Sequence, residues 1–103
     1  MSDKVRHKNR YYGNVLDKTI RVNDETLPVR SDILNFSSMF DWGDLEDRSA
    51  MTALSILAFE YGETSKQCEL YQDLTRLMIS QFDPNKDFLL TSDRLEVFFR
   101  NRV

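Results

Sequence analysis

The 103-residue sequence has few of the residues that identify several protein classes: one Cys, one His, three Gly and two Pro. A single cysteine, Cys68, excludes an internal disulfide framework and a cysteine-based zinc site. The lone His7 cannot build a multi-histidine metal site and, with no nucleophile motif beside it, cannot build a catalytic triad. The sequence also lacks a glycine-rich phosphate-binding loop. We therefore expect no enzyme, no catalytic residues, no cofactor and no bound metal.

Long apolar runs are also missing. None approaches the roughly 20 residues that cross a bilayer, and the polar start Met1-Ser2-Asp3-Lys4 lacks the apolar core of a signal peptide. With 41% hydrophobic and 30% charged residues, the composition is that of a globular chain. These features predict a cytoplasmic protein with no membrane partner. We expect a flexible basic arm over residues 1–9 and one domain over residues 10–103.

Neither sign of charge dominates the whole chain, whose formal net charge is −3, but the charges are unevenly distributed. Residues 1–30 carry seven basic and four acidic side chains. Residues 31–73 carry two basic and nine acidic ones, and residues 74–103 carry five and four. A basic N-terminal part therefore precedes an acidic middle of net charge −7. This asymmetry directs the search for function to these two regions.

The N-terminal third predicts an antiparallel sheet. β-Branched, aromatic and aliphatic residues favour strands near residues 10–16 and 19–23, joined by a turn at Asp17-Lys18. Leu27-Pro28-Val29 predicts a short third strand. Because proline cannot donate to a ladder, that strand is expected at an edge of the sheet. Residues 31–47 predict an ordered loop pinned by its aromatic side chains.

An alanine-rich segment predicts a central helix from about Arg48 to Tyr61, with Asp47 as its N-cap and Gly62 just beyond its end. Apolar residues recur at helical spacing along one side. The other side carries only the small residues Ser49, Thr52 and Ser55. A helix that is apolar nearly all round is typically buried.

Two further helices complete the predicted fold. Thr64 and Gln67 fit a capping box at the start of the second helix, and Pro84 stops it. Thr91 or Ser92 caps a last helix whose inward residues are Leu95, Phe98 and Phe99. Between these helices, the apolar link Phe88-Leu89-Leu90 is a candidate fourth strand. The order predicts an α+β fold: an N-terminal antiparallel β-hairpin or three-stranded sheet packed by three C-terminal helices.

The loop from Asp41 to Asp47 places four carboxylates and the only tryptophan within seven residues. In one interpretation, Asp44 and Asp47 favour the N-terminus of the following helix through its dipole, and Trp42 packs. In the other, the loop binds a basic partner protein and an exposed tryptophan is its anchor. The protein-binding residues would then be Asp41, Trp42, Asp44, Glu46 and Asp47. Magnesium could use the same carboxylates, but no further residue completes a mechanism.

The N-terminal residues mix cations with aromatic rings, the groups that attract phosphate and stack on bases. The alternative nucleic-acid-binding site consists of Lys4, Arg6, Lys8, Arg10, Tyr11 and Tyr12. A solvated basic tail leading into a hairpin explains the same residues. Because base-binding domains are usually basic overall, the net negative charge of this chain favours the tail.

Asp83-Pro84-Asn85-Lys86-Asp87 spaces its oxygen atoms like the start of an EF-hand calcium loop. Phe88 stands where that loop needs glycine, and Arg94 stands where it needs a bidentate glutamate. We therefore expect a helix-stopping turn here rather than a calcium site.

Several short motifs resemble a small family of uncharacterised domains from bacteria, archaea, plasmids and phages, numbered 6166 among the domains of unknown function. The matching elements are Asn35-Phe36-Ser37-Ser38, Phe40-Asp41-Trp42-Gly43, the alanine-rich helix, Leu70-Tyr71-Gln72-Asp73 and Leu90-Thr91-Ser92. The similarity spans roughly residues 10–100. Typical members have a glycine-rich loop after the F-x-W-G element, and here Asp44-Leu45-Glu46-Asp47-Arg48-Ser49 replaces it. The resemblance implies no activity, but it implies a mobile element as the source.

These features predict a non-enzymatic protein-interaction module. We expect an inhibitor of a host nuclease or defence complex, similar to an anti-CRISPR protein, that acts through its acidic surface in the host cytoplasm. The alternative is a nucleic-acid-binding accessory protein that uses the basic arm and the tyrosine-bearing hairpin. The sequence is compatible with both a monomer and a homodimer, because Phe98, Phe99 and Val103 suit either the core of a monomer or a symmetric interface.

Overall fold

The structure is a computed structural model that describes residues 8–100 and 102. It confirms the α+β class: a four-stranded antiparallel sheet packs against helices. The strands are β1 (Arg10–Asn14), β2 (Thr19–Val22), β3 (Glu25–Thr26) and β4 (Phe88–Thr91). The helices are α1 (Asp47–Tyr61), α2 (Lys66–Glu69), α3 (Tyr71–Leu77) and α4 (Ser92–Phe99), with a 3-10 turn at Ile79–Gln81.

The sheet has the order β3-β2-β1-β4, so the apolar link after Pro84 does add a strand, as predicted. The third strand was predicted two residues too late. The residues of β3 that pair with β2 are Glu25 and Thr26. The last backbone hydrogen bond to β2 comes from the N–H of Leu27, which donates to the carbonyl of Ile20 at 2.7 Å. Because Pro28 has no N–H to continue the ladder and Leu27 turns into the core, the chain leaves the sheet there.

One face of the sheet is buried and the other meets solvent, which follows from the two-residue period of a strand. Tyr11, Ile20, Val22 and Leu90 face the core. Gly13 on β1 lies beneath the ring of Phe88, and a Cβ at this position would stand 2.2 Å from the Phe88 Cε2 atom. The sequence thus permits close packing of β1 and β4 at a point where no larger residue fits.

The central helix α1 is buried over most of its length, as its composition predicts. Its small polar side is buried too, and the segment 30–47 supplies hydrogen-bond partners to it. The Thr52 hydroxyl donates to the Asp41 carbonyl at 2.6 Å, and the Ser55 hydroxyl accepts from the Arg30 N–H at 3.1 Å. Gly62 ends the helix with φ of 97°, as expected.

The N-cap of α1 is Glu46 rather than Asp47, and its side chain makes no capping hydrogen bond. The prediction was wrong because the side chain of Asp44, two residues before the N-cap, accepts hydrogen bonds at the start of the helix. Its Oδ1 accepts from the Glu46 N–H at 2.9 Å and from the Ser49 hydroxyl at 2.7 Å. The loop and the helix are thereby joined at this end.

The second predicted helix is interrupted. It divides into α2 and α3 at Leu70, whose N–H bonds to the Gln67 carbonyl three residues back, and α3 ends at Leu77, before Pro84. The capping box was also misplaced. Ser65, not Thr64, is the N-cap of α2 and accepts from the Cys68 N–H at 3.0 Å. The interruption lets short segments on both sides present buried residues to the core: Cys68 on α2 and Leu74 on α3.

The segment before β1 pairs with the start of α4, next to β4. Thr91 caps α4, and its side chain accepts from the Arg94 N–H at 3.3 Å. The Asn9 N–H donates to the Ser92 hydroxyl at 2.7 Å, and the Ser92 N–H donates to the Asn9 carbonyl at 3.0 Å. Asn9 therefore belongs to the domain and not to the arm predicted over residues 1–9, of which residues 1–7 lie outside the described residues. Within the described ranges, no helix is long and apolar enough to cross a membrane.

Candidate protein-binding surface

Trp42 is buried, so the interpretation of this residue as an exposed anchor is wrong and the packing interpretation is correct. Its indole N–H donates to the Lys86 carbonyl at 2.9 Å. Its ring meets Phe88 edge to face, with centroids 4.7 Å apart. A tryptophan buried in this way satisfies its polar group and gains apolar contact. It fastens the acidic loop to the segment before β4.

Gly43 allows this attachment. Its φ is 93°, a conformation that other residues rarely adopt. Its N–H donates to the Ile79 carbonyl at 3.0 Å. A Cβ here would lie 2.7 Å from the Pro84 Cβ, so the backbone of the loop packs directly on Pro84. The acidic loop is thus held in one conformation by Trp42 and Gly43 together.

Two of the four carboxylates also hold the loop. Asp41 pairs through Oδ1 with the Lys18 ammonium at 2.9 Å and accepts from the Trp42 N–H at 2.8 Å. The same ammonium lies 4.3 Å from the centroid of the Trp42 ring. Asp44 receives the hydrogen bonds from Glu46 and Ser49 described above. We therefore assign Asp41, Trp42 and Asp44 mainly to loop structure.

The outward part of the loop is different. Glu46 and Asp47 are exposed and form no ion pair with any described residue. Between Asp44 and Glu46, Leu45 is 67% exposed. Nearby Met39 is 45% exposed. We call Met39, Leu45, Glu46 and Asp47 the acidic loop surface.

Sequence reasoning missed Leu45 and Met39 as its apolar members. For Leu45, the sequence did contain a signal of exposure: it has a carboxylate on each side, and such a position does not favour burial in the core.

An open depression of about 550 Å3 adjoins this surface. Phe36 and Met39 form its apolar part, and Asp44, Glu46 and Asp47 belong to its acidic part. Carboxylates beside apolar groups can bind a cationic side chain and the aliphatic carbons that carry it. Across the described part of the chain, no group of three or more His, Cys, Asp or Glu residues could hold a metal ion.

Among the described residues of the alternative nucleic-acid site, only Arg10 and Tyr12 lie together. Lys4 and Arg6 lie outside the described residues. Lys8 pairs with Asp93 at 2.8 Å. Tyr11 is buried, and its hydroxyl donates to Glu60 Oε1 at 2.7 Å, so this ring cannot stack on a base. Burial, and then the hydrogen bond to Glu60, raise the pKa of Tyr11 well above its usual value.

Arg10 and Tyr12 do share the solvent face of the sheet, and Arg21 of β2 lies directly opposite Tyr12. An open depression of about 400 Å3 lies over these three side chains. Asp24 also lines it, and Asp87 accepts a hydrogen bond from the Tyr12 hydroxyl. The charge of this face is therefore mixed.

The segment that resembles an EF-hand uses its acidic side chains within the fold. Asp83 Oδ1 accepts from the Asn85 N–H at 2.9 Å, which forms a tight turn. Asp87 accepts from the Val15 N–H at 2.7 Å and from the Tyr12 hydroxyl. These two hydrogen bonds, the hydroxyl first, lower the pKa of Asp87. The segment joins the β1–β2 hairpin to β4.

Comparisons with known proteins found no matching family model, no similar curated protein and no similar solved structure. The resemblance to the uncharacterised domain family therefore stays a prediction from the sequence.

Proposed function

We propose that this protein is a non-enzymatic interaction module that binds a positively charged surface of a partner protein through the acidic loop surface. The observation that carries the proposal is Leu45, a large apolar side chain exposed to solvent between carboxylates. Exposed apolar patches with charged residues around them are typical of interfaces, where the apolar groups supply contact and the charges supply orientation. Leu45 is accompanied here by Met39 and Phe36, which line the adjoining depression. Glu46 and Asp47, which form no ion pair with a described residue, would meet lysine or arginine side chains of the partner.

The finer proposal concerns the partner. The nucleic-acid-binding surfaces of nucleases are basic, and an acidic protein that covers such a surface competes with the nucleic acid. We propose a host nuclease or defence complex as the target, a phage or other mobile element as the source, and the host cytoplasm as the location. The charge of residues 31–73 and the family resemblance support this proposal.

Affinity capture from a lysate of the host cell tests the proposal with two matched pairs of variants. Glu46→Lys and Leu45→Ser alter the acidic loop surface. Glu25→Lys and Leu16→Ser alter an exposed glutamate and an exposed leucine elsewhere. A partner retained by the wild type and by the second pair, but lost with the first pair, supports the proposal. A partner retained equally by all four variants, or no stable partner at all, overturns it.

Nucleic-acid binding is the second candidate, and the shared face of Arg10, Tyr12 and Arg21 is the observation that favours it. Binding of a labelled single-stranded oligonucleotide should then weaken steeply with salt. It should also weaken when Tyr12 is changed to Ala or when residues 1–7 are deleted. Absent or salt-insensitive binding excludes this candidate.

A further inference from the structure

Two further depressions lie next to the acidic loop surface. Next to the depression described above, a second one of about 250 Å3 lies between the loop and α3. A third, of about 300 Å3, lies between residues 33–34 and α2. The first and second share Phe36 and Asp47, and the second and third share Tyr71. We call these three adjacent depressions, whose lining residues extend from Met39 to Glu69, the loop–helix groove.

Apolar side chains line part of each depression of the loop–helix groove. The rings of Phe36 and Tyr71 pack against each other at its centre, with centroids 5.5 Å apart. Leu34, which is 38% exposed, lies at the end near α2, and Met39 lies at the other end. Apolar side chains therefore remain accessible at both ends of the groove, with an aromatic pair between them.

The rim of the groove is acidic. Its charged residues are the carboxylates Asp41, Asp44, Glu46, Asp47, Glu63 and Glu69, and the guanidinium groups Arg48 and Arg76. Three of these are neutralised by neighbours: Asp41 by Lys18, Glu63 by Arg30, and Arg76 by Asp73. Four carboxylates and one guanidinium have no ion pair with a described residue. Because a groove with low-dielectric walls concentrates the field of its charges, an occupant must bring positive charge.

We propose that the loop–helix groove binds a linear basic segment of the partner protein. Two leucine-like side chains of that segment would enter at Leu34 and at Met39, and its lysine or arginine side chains would meet Glu46, Asp47 and Glu69. This inference rests on the proposed function, and it adds that the partner contributes a peptide-like segment and not merely a flat basic surface. A nucleic acid would place negative charge against these carboxylates.

Model peptides test the inference even while the partner is unidentified. The probe is a short fluorescent peptide of leucine and lysine, compared with one in which serine replaces every leucine. Anisotropy should show the leucine-containing peptide binding about tenfold more tightly than the serine peptide. In NMR spectra of the isotope-labelled protein, it should shift the amide signals of Leu34, Phe36 and Tyr71.

Two variants separate the groove from the acidic loop alone. Glu69→Lys changes an exposed carboxylate at the far end of the groove, and Glu25→Lys is its control on β3. Leu34→Ser removes the apolar group, and Leu16→Ser is its control. Because Glu69 is exposed and has no side-chain partner within the described ranges, its variant should fold normally, which circular dichroism checks. We expect Glu69→Lys and Leu34→Ser each to weaken peptide binding several-fold, and the controls to leave it unchanged.

The failures of the two proposals are distinguishable. If Glu46→Lys weakens binding of the captured partner while Glu69→Lys and Leu34→Ser leave the affinities for both partner and peptide unchanged, the groove is overturned and the acidic loop surface stands. If Glu46→Lys also leaves partner binding unchanged, both proposals are overturned. Peptide-induced NMR shifts confined to the open face of the sheet overturn the groove.

Discussion

Trp42 illustrates how one residue type supports two opposite expectations. From sequence, a tryptophan among carboxylates fits both an interface anchor and a core residue. The choice depends on whether its indole N–H finds a buried partner, and the Lys86 carbonyl, 44 residues further along the chain, supplies one. That contact depends on the tertiary fold, so no local pattern reveals it. The exposure of Leu45 could have been predicted from sequence, because the acidic residues on both sides of it argue against burial.

The burial of Trp42 gives a direct prediction. As the only tryptophan, it should emit at short wavelength and resist quenching by acrylamide until the protein unfolds. Trp42→Phe should lower the free energy of unfolding by about 2–3 kcal/mol, since it loses packing volume and the hydrogen bond to Lys86. Emission typical of tryptophan in water, with full quenching in the folded protein, would contradict the structure.

Tyr11 predicts a pH dependence at the alkaline end. Its pKa is raised in the folded state, so the neutral hydroxyl is favoured by folding. The associated stability is complete below the unfolded-state pKa of about 10 and declines as the pH rises beyond it. Urea unfolding should therefore show a free energy that falls above this pH in the wild type, and less steeply in Tyr11→Phe.

At neutral pH, Tyr11→Phe should cost about 1–2 kcal/mol, because Glu60 keeps its hydrogen bond from Asn9 at 2.9 Å. Equal alkaline slopes for the wild type and Tyr11→Phe would refute this role for Tyr11. Tyr12→Phe is the comparison. The hydrogen bond to Asp87 raises the pKa of Tyr12 as well, but this ring lies on the open face of the sheet, so we expect a smaller change in slope.

At the scale of elements, the patterns with a strong period were predictable and the interruptions were not. The buried α1 and the β1–β2 pair follow from apolar spacing. The break at Leu70 does not, because the segment from Lys66 to Leu77 contains no glycine or proline that would mark it. The third strand was misplaced for a related reason: Leu27 is apolar but turns into the core beyond the last pair of residues in the ladder.

The N-terminus of α1 offers a test that separates stability from binding. Glu46 occupies the N-cap without a capping hydrogen bond, and serine is a better residue there. Glu46→Ser should raise the free energy of unfolding by about 0.5–1 kcal/mol while it weakens partner binding. Such a result is expected when a surface residue is retained for function at some expense in stability. An unchanged partner affinity would argue that Glu46 has no binding role.

The attachment of the loop predicts unequal effects for two glycines. Both have positive φ, but Gly43 packs on Pro84, whereas a Cβ at Gly62 would meet no atom within 4 Å. Gly62→Ala should therefore cost about 1 kcal/mol from backbone strain alone. Gly43→Ala should cost about 3 kcal/mol, because a steric clash is added to the strain. Thermal or urea unfolding measures both, and equal losses would contradict the packing of the loop.

At the scale of the whole molecule, the α+β class was predictable from the order of the elements, but the completed sheet depends on a strand from the C-terminal third. Among the C-terminal aromatic residues, Phe99 is buried against Tyr61, with ring centroids 5.6 Å apart, and Phe98 packs edge to face on Phe99. These contacts use both rings within one copy of the chain. Val103 lies outside the described residues, and the homodimer stays a prediction that light scattering can test.

The carboxylates of the acidic loop have two different roles. Asp41 and Asp44 are used to build the loop, whereas Glu46 and Asp47 are left to face solvent beside Leu45. The negative charge of the middle segment is therefore partly structural and partly free to act on a partner. This division identifies which carboxylates to change, a distinction that the charge count alone does not make.

The role of the acidic loop surface is tested most sharply by the dissociation constant of the captured partner for the wild type, Glu46→Lys and Glu25→Lys at low and moderate salt. We predict that Glu46→Lys raises the dissociation constant at least about tenfold, equivalent to about 1.4 kcal/mol, and that this difference shrinks as salt screens the charges. Glu25→Lys should stay close to the wild type. Equal constants for the two variants would contradict the proposal that the acidic loop surface binds the partner.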